Sequence, residues 1–409
     1  MSEAEQAGGQ VEPQLGRTAP GKLAAAAVAL CGVCAFLELY ATQPLLPLLA
    51  RIFHASHAGV GMTVSAATLG VALSAPVFGV LAERLARKRV ILVSLAGVTI
   101  PTLLAATSGS LGQLIFWRFL QGITVPGIIA VTITYIGEEW PADQLALVMS
   151  FYVSGTALGG FLGRISSGIL ADHFNWRVSF VALGVASLAG VAAVATWLPH
   201  GKRRAPVVPA ADRPDLWQQT KELFGSRPLI ATYAVGFNVL FSLVGVFTWI
   251  TFHLAAPPFN LSTTALSSLF FVYLVGLVVT PLAGWLITRV GLRTGISGAI
   301  LWSMTGVALT LSAHLWVEIA GLALLSSGVF VAQTASSSHL RVAAPAGARV
   351  TAAGLYLTFY YLGGAAAGVA PGIFWAIGGW PACVGFILAM QALALGVALV
   401  GWRRKTVAA

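Results

Sequence analysis

Charge is what this chain has least of. Asp, Glu, Lys and Arg make up only 9% of its 409 residues, against roughly 25% in an ordinary soluble domain. So little charge cannot coat a water-facing surface, which excludes a soluble globular protein. Acids are scarcer than bases, 13 against 23, for a net charge of +10. Cysteine is scarce too, with three residues, so no disulfide framework is expected. Cys31 and Cys34 have a C-x-x-C spacing. They lie in an apolar run with no partnering His or second pair, and neither metal nor redox chemistry is expected of them. The seven His residues are scattered toward loops, and no paired carboxylates or activated Ser or Cys site emerges. That argues against an enzyme. No glycine-rich loop is followed by Lys-Ser/Thr, and no cofactor is expected. Residues 1–21 contain Glu3, Glu5 and Glu12 and no apolar core. They are unlike a cleaved signal peptide and read as a disordered cytoplasmic tail.

Long apolar runs are what the chain has instead. Hydrophobic residues make up 57% of it, and runs of 18 or more recur along its length, which predicts transmembrane helices. The strands of a β-barrel would alternate polar and apolar residues, and these runs do not. The expected fold is an all-α integral membrane protein of twelve transmembrane helices. They fall at about 23–45, 59–82, 89–107, 111–136, 144–171, 177–198, 229–253, 264–288, 294–312, 316–338, 348–375 and 381–402. The hydrophilic stretch 199–228 holds Lys202, Arg203, Arg204, Arg213, Lys221 and Arg227. It reads as a cytoplasmic linker between an N-terminal half (22–198) and a C-terminal half (229–403), with a short cytoplasmic tail at 404–409.

The halves are related. Gly79, Leu81, Arg84 and Lys88 return as Gly284, Leu286, Arg289 and Arg293, at an offset of 205. Pro141 and Pro345, Leu158-Gly159-Gly160 and Leu362-Gly363-Gly364, Gly168 and Gly372, and Trp176 and Trp380 match at an offset of 204. Orientation follows from the bases. With the N-terminus inside, nineteen Lys and Arg residues fall in cytoplasmic segments and two, Arg51 and Arg177, in outer loops. That bias puts both termini in the cytoplasm and accounts for the positive charge without nucleic acid, as an attraction to anionic lipid. Tryptophans near span ends, among them Trp140, Trp176, Trp197, Trp249, Trp316, Trp380 and Trp402, fit an interfacial belt.

Charge inside a bilayer is costly, so each such residue is a candidate for function. Glu38 lies midway along the first span, on one helical face with Cys31, Cys34 and Thr42. Desolvation favours the neutral form of a carboxyl, so Glu38 can take up and release protons. The alternatives are a static ion pair or a hydrogen-bonded acid. Arg118 in the fourth span cannot shed its proton and needs a partner: Glu38, backbone carbonyls or an anionic substrate. Arg164 in the fifth span faces the central cavity or snorkels toward the outer surface. Gln43, Gln121, Tyr152, Asn238, Gln333 and Tyr360 are further cavity candidates. His253, His314 and Glu318 lie near outer span ends, where interface solvation suffices for them. Gly155, Gly159 and Gly163, and Gly364, Gly368 and Gly372, recur every four residues, a spacing that lets helices approach closely. They either pack statically or slide between the halves. Glu83 and Arg87, four apart, can pair if their helix continues.

These features together resemble the major facilitator superfamily. Gly79–Leu92, with Glu83, Arg84, Arg87, Lys88 and Arg89, resembles its signature loop between helices two and three. Glu83 stands for the usual Asp and Ala86 for a Gly. Arg118-Phe-Leu-Gln121-Gly122 resembles its helix-four motif, whose arginine is linked to proton coupling or substrate charge. Gly155 to Gly163 resembles the helix-five motif of the antiporter branch, with Gly160 where that motif has proline. Tyr40-Ala-Thr-Gln43-Pro44-Leu-Leu-Pro47 resembles the first helix of bacterial drug- and arabinose-efflux-type members. The resemblance covers about residues 20–405. It implies a central site near the midplane, opened alternately to each side. Gly79, Glu83, Arg84, Arg87, Lys88, Arg289 and Arg293 would then form a cytoplasmic gate. The resulting expectation is a proton-coupled exporter of small amphipathic compounds in the inner membrane, acting as a monomer on a small molecule, protons and the lipid bilayer. The alternatives are a proton-coupled importer of a small organic anion and a transport-inactive sensor.

Overall fold

The computed structural model describes residues 20–201 and 216–402, and side chains throughout these except at 79–84, 216, 277 and 346. The expected tails and most of the expected linker lie outside the described residues, as do the side chains of Gly79, Glu83 and Arg84.

The described chain is helical and has no strand. The helices are α1 (Lys22–Leu37), α2 (Leu46–Ile52), α3 (His57–Arg84), α4 (Arg87–Ala105), α5 (Leu111–Glu139), α6 (Ala142–His173) and α7 (Trp176–Trp197). After α8 (Leu216–Gly225) come α9 (Arg227–Ala255), α10 (Thr263–Ser268), α11 (Val275–Val290), α12 (Leu292–Leu309), α13 (Leu315–Ala343) and α14 (Arg349–Gly401). They make twelve passes. The first runs from α1 through a 3₁₀ turn at Gln43–Leu45 into α2. The eighth joins α10 to α11 through a 3₁₀ stretch at Leu269–Leu274. The 53-residue α14 supplies two passes, because its backbone leaves helical geometry at Gly378 and Gly379. Gly379 has φ +60°, a left-handed conformation that favours glycine. The two limbs of α14 therefore meet at a sharp kink.

Alternation puts one set of turns on the face where α1 begins and α14 ends, here the terminal face, and the rest on the far face. Three of the far-face turns are capped by local polar chemistry. Ser110, Asn175 and Ser262 accept hydrogen bonds from the backbone N–H groups of Gln113, Val178 and Ala265, at the starts of α5, α7 and α10. Each satisfies a donor that the first helical turn leaves free.

The duplication recurs in the packing. A Cβ on Gly159 would strike the Val33 carbonyl, and one on Gly363 would strike the Phe237 carbonyl. Both residues of the second contact lie 204 positions after those of the first. Gly155, Gly159 and Gly163 all press on α1, at the carbonyls of Ala29, Val33 and Leu37. This stripe is packing within one half, not a contact between halves. Gly364, Gly368 and Gly372 behave differently. Gly368 meets Ser65 and Gly61 of α3 in the other half, whereas Gly364 and Gly372 press first on Leu240 and Trp249 of their own half and only then on Thr68 and Ala58 of α3.

Three expectations change. The helix does not continue from Glu83 to Arg87: it breaks at Leu85–Ala86, and Arg87 opens α4. Thr42 does not share a helical face with Glu38, because α1 ends at Leu37 and residues 38–42 form turns. Trp140, Trp176, Trp249, Trp380 and Trp402 are buried and are not an outward belt. Two of these indoles satisfy their N–H inside the protein, Trp249 on the Ala367 carbonyl at 3.1 Å and Trp380 on the Thr310 carbonyl at 2.8 Å.

Candidate functional site

The break after α1 leaves backbone carbonyls at membrane depth without their helical donors. Irregular backbone survives there only where protein satisfies it. Arg118, on α5, does this. Its Nη1 donates to the Glu38 carbonyl at 2.7 Å, its Nη2 to the Leu39 carbonyl, and its Nε to the Thr63 carbonyl on α3 at 3.2 Å. Gly122 allows the approach: a Cβ there would overlap the Ala67 carbonyl of α3. Arg118 is fully buried.

The Glu38 side chain is reached by a second route. Arg118 Nη1 also donates to Gln121 Oε1; Gln121 Nε2 donates to Thr102 Oγ1; and the Thr102 hydroxyl donates to Glu38 Oε2. Glu38 and Arg118 thus communicate through Gln121 and Thr102 and form no ion pair. Thr102 Oγ1 also lies 2.8 Å from the Val98 carbonyl. Its single proton has two acceptors to choose between. Glu38 is 1% exposed, and its Oε1 has no hydrogen-bond partner. The Ser187 hydroxyl of α7 is likewise buried and without a hydrogen-bond partner.

A second polar cluster lies on the seam between the halves. Arg164 Nε donates to Gln43 Oε1 at 2.8 Å, and Gln43 Nε2 donates to Thr248 Oγ1 in the other half at 3.2 Å. Gln43 and Thr248 are 205 residues apart, so the contact joins the first passes of the two repeats. Arg164 Nη1 donates to the Gly160 carbonyl at 2.7 Å. Its guanidinium stands over the rings of Tyr40, Phe270 and Tyr273, 4.6–4.9 Å from their centroids. Arg164 is buried and does not snorkel. Among the described residues, neither Arg118 nor Arg164 has a carboxylate within ion-pair distance.

The other candidates are dispersed. Tyr152 is buried beside α1, its hydroxyl unbonded. Tyr360 is half-buried in a ring cluster with Tyr356 and Tyr361. Gln333 is half-buried on α13. Asn238 accepts from Ser242 at 3.3 Å, and a small chamber beside it is bounded by Ser303 and Gln391. On the terminal face, Arg87 makes a two-pronged ion pair with Glu138 of α5, at 2.8 and 3.2 Å, and Lys88 donates to the Ala195 carbonyl of α7 at 2.8 Å. Arg289 lies over the Trp285 ring, and Arg293 donates to the Leu399 carbonyl at 2.9 Å. Glu318 is not solvated at the interface. It is fully buried and pairs with His253 at 3.2 Å.

The sequence reading missed Thr102, Ser187, Thr248, Phe270, Tyr273 and Glu138. Single hydroxyls and aromatics are ordinary in a membrane span, and Glu138 stands at a span end beside Glu139, where a carboxylate is ordinary too.

The Major Facilitator Superfamily model matches residues 28–368. The chain is 33% identical to the inner membrane transport protein YnfM of Escherichia coli over 378 residues, 91% of this chain and 88% of that protein. It is 30% identical over 370 residues to an uncharacterized transporter of Buchnera aphidicola, with 90% of this chain and 89% of that protein covered. Among solved structures, a bacterial homologue of the human lysosomal transporter Spinster, inward-facing and unoccupied, matches with a TM-score of 0.76 at 14% identity. That match covers 92% of this chain and 96% of the other. The nucleoside transporter NupG matches with a TM-score of 0.77 at 12% identity, covering 93% and 100%. At these identities the structural likeness is one of fold alone.

Proposed function

The chain belongs to the major facilitator superfamily, a multi-pass membrane transporter, and we propose that it is a proton-coupled exporter of small amphipathic compounds. The observation that carries the reading is the state of Glu38. It is buried, has no cation within ion-pair distance among the described residues and keeps one carboxyl oxygen unbonded. A static ion pair would have both charges satisfied. A group that gains and loses a proton needs a partner that tolerates both forms, and Thr102 is such a partner. Its hydroxyl donates to the charged carboxyl. To the neutral acid it can accept, turning its own proton to the Val98 carbonyl. Gln121 then carries the change toward Arg118.

In this reading the terminal face is cytoplasmic, following the distribution of bases. Arg87, Lys88, Arg289 and Arg293 stand on that face and belong to its gate. The amphipathic substrate class is supported by the apolar character of the helices around the seam. Import of a small organic anion is favoured by one observation, the buried Arg164 with no carboxylate partner among the described residues.

The test is proton flux in proteoliposomes with an imposed pH gradient, read by a pH dye as cationic drugs, sugars and organic anions are added. Wild type should respond to amphipathic cations or neutral amphipaths, and Glu38→Gln should not. The sign of the pH change separates antiport from symport. A Glu38→Gln protein that transports uphill at the wild-type rate ends the coupling role.

A further inference from the structure

The eighth pass changes helical form partway along its length. Between α10 and α11 the six residues Leu269–Leu274 run as a 3₁₀ helix. Runs of that form longer than about four residues are uncommon. The stretch reads Leu-Phe-Phe-Val-Tyr-Leu, with neither Pro nor Gly, so nothing within it rules out an α-helix. A contact from outside has to favour the tighter form. A 3₁₀ helix brings side chains at i and i+3 into line. Phe270 and Tyr273 are three apart, and both present their rings to the guanidinium of Arg164 on α6, at 4.9 and 4.7 Å. In an α-helix the two would diverge by about 60°. Arg164 is itself held by Gln43, by the Gly160 carbonyl and over the Tyr40 ring.

This stretch continues directly from a contact that joins the halves at the far face, where α6 of one half pairs with α10 of the other. The Asp172 carboxylate accepts from the Thr264 N–H at 3.2 Å. One turn inward, a Cβ on Gly168 would strike the Ser267 side chain and lie 3.0 Å from the Thr263 carbonyl. Arg164 on Phe270 and Tyr273 comes next, and then Phe161 against Phe271 at 4.8 Å. The register of α10 on α6 is therefore set through the 3₁₀ stretch. Relaxing its six residues to α geometry shortens them by about 3 Å and turns one end against the other by about a third of a turn. Neither the Asp172 hydrogen bond nor the Gly168 contact survives such a change.

We propose that Arg164 is a positioning residue for the far-face contact: it holds Leu269–Leu274 in the 3₁₀ form, and that form holds α10 against α6. Drawing the guanidinium off the rings frees the stretch to become α-helix. Thr264 and Ser267 then leave Asp172 and Gly168, and the halves part at the far face. A substrate whose acceptor takes the guanidinium does this, a step that rests on the seam being the transport site. The hinge itself requires neither proton coupling nor a direction of transport.

The test is pulsed EPR on the full-length protein in lipid nanodiscs, without substrate or pH gradient. Cys31, Cys34 and Cys383 are buried and are replaced by Ala. Spin labels at Ser268 and Leu286 report on the eighth pass, and labels at His173 and Ser268 report on the far-face contact; all three positions are exposed. Arg164→Met keeps the length of the side chain and removes the cation. Phe270→Leu combined with Tyr273→Leu removes the rings. Each should move the Ser268–Leu286 peak to a new single position and lengthen the His173–Ser268 distance. Tyr273→Phe, which keeps the ring, should match wild type. Thermal melting identifies a variant that fails to fold, and the other then decides. An unmoved Ser268–Leu286 peak overturns the proposal even where the His173–Ser268 distance lengthens, because α10 would then have moved without the hinge. If both shifts are present while wild type gives no proton flux, the export reading fails and the hinge stands.

Discussion

At the scale of the residue, the candidate site shows how a buried arginine and a buried glutamate can be neighbours without forming an ion pair. Arg118 spends three of its donors on backbone carbonyls and one on Gln121. The charge is spread over peptide dipoles, and the proposed proton coupling would need Glu38 to be left able to change its own. Thr102 then becomes the sensitive point. A hydrogen bond to a charged group is worth about 1.5–3 kcal/mol. Thr102→Val keeps the shape and removes the hydroxyl. Proton-driven transport should fall about tenfold or more, in keeping with that energy. Thr102→Ser should retain most of it. Equal rates for Thr102→Val and wild type in the proteoliposome assay would show that the hydroxyl does not matter. Glu38, Arg118 and Gln121 were legible in the sequence because charge and amide groups stand out in an apolar run. Thr102 was not, because a threonine can be satisfied by its own helix and only a cross-helix contact distinguishes this one.

At the scale of the element, the turn between α3 and α4 is a junction of helix ends. Arg87 ties the start of α4 to the end of α5 through Glu138, and Lys88 reaches a carbonyl near the end of α7. A two-pronged arginine–carboxylate pair is specific in geometry as well as energy. Arg87→Gln and Glu138→Gln should therefore impair transport to a similar degree, and the double variant should be little worse than either. Losses that simply add would mean that the pair does not act as a unit. Expression and thermal melting in detergent check that each variant folds. The charged motif was plain in the sequence, but its partner was not. Periodicity suggested Glu83, four residues back, because nothing in the sequence says that the helix stops at Leu85.

At the scale of the whole molecule, the hydrogen bonds and ring contacts found between the halves lie toward the far face. Ser65 donates to the Ala365 carbonyl at 2.6 Å, the Thr264 N–H donates to Asp172 at 3.2 Å, and His57 packs on Phe252 and Trp375. Gly61 and Gly368 bring α3 and α14 to backbone contact. If the terminal face is cytoplasmic, as proposed, this would be an inward-facing arrangement sealed on the outside. Gly368→Leu should wedge that seal open, since even a Cβ would meet Ser65. Packed interfaces are bistable and do not deform gradually, so the population should shift as a whole. Spin-label distances between the far ends of α3 and the first limb of α14 should move to a longer peak. An unchanged distribution with intact folding would mean that this seam does not hold the seal.

The amino-acid sequence by itself determined the architecture, because a bilayer admits few solutions to twelve long apolar runs and the lengths of those runs set the spans. It also determined the duplication and marked Glu38, Arg118 and Arg164 as charges within spans, since both are written in residue type and spacing. What only the tertiary structure decided is who meets whom. A break in α1 sends Arg118 to backbone carbonyls, a glycine stripe faces its own half while another also reaches across, and Glu318 withdraws from the surface to His253. These depend on helix ends and on rotation about helix axes. Periodicity does not fix those to better than a turn, and a turn changes every partner.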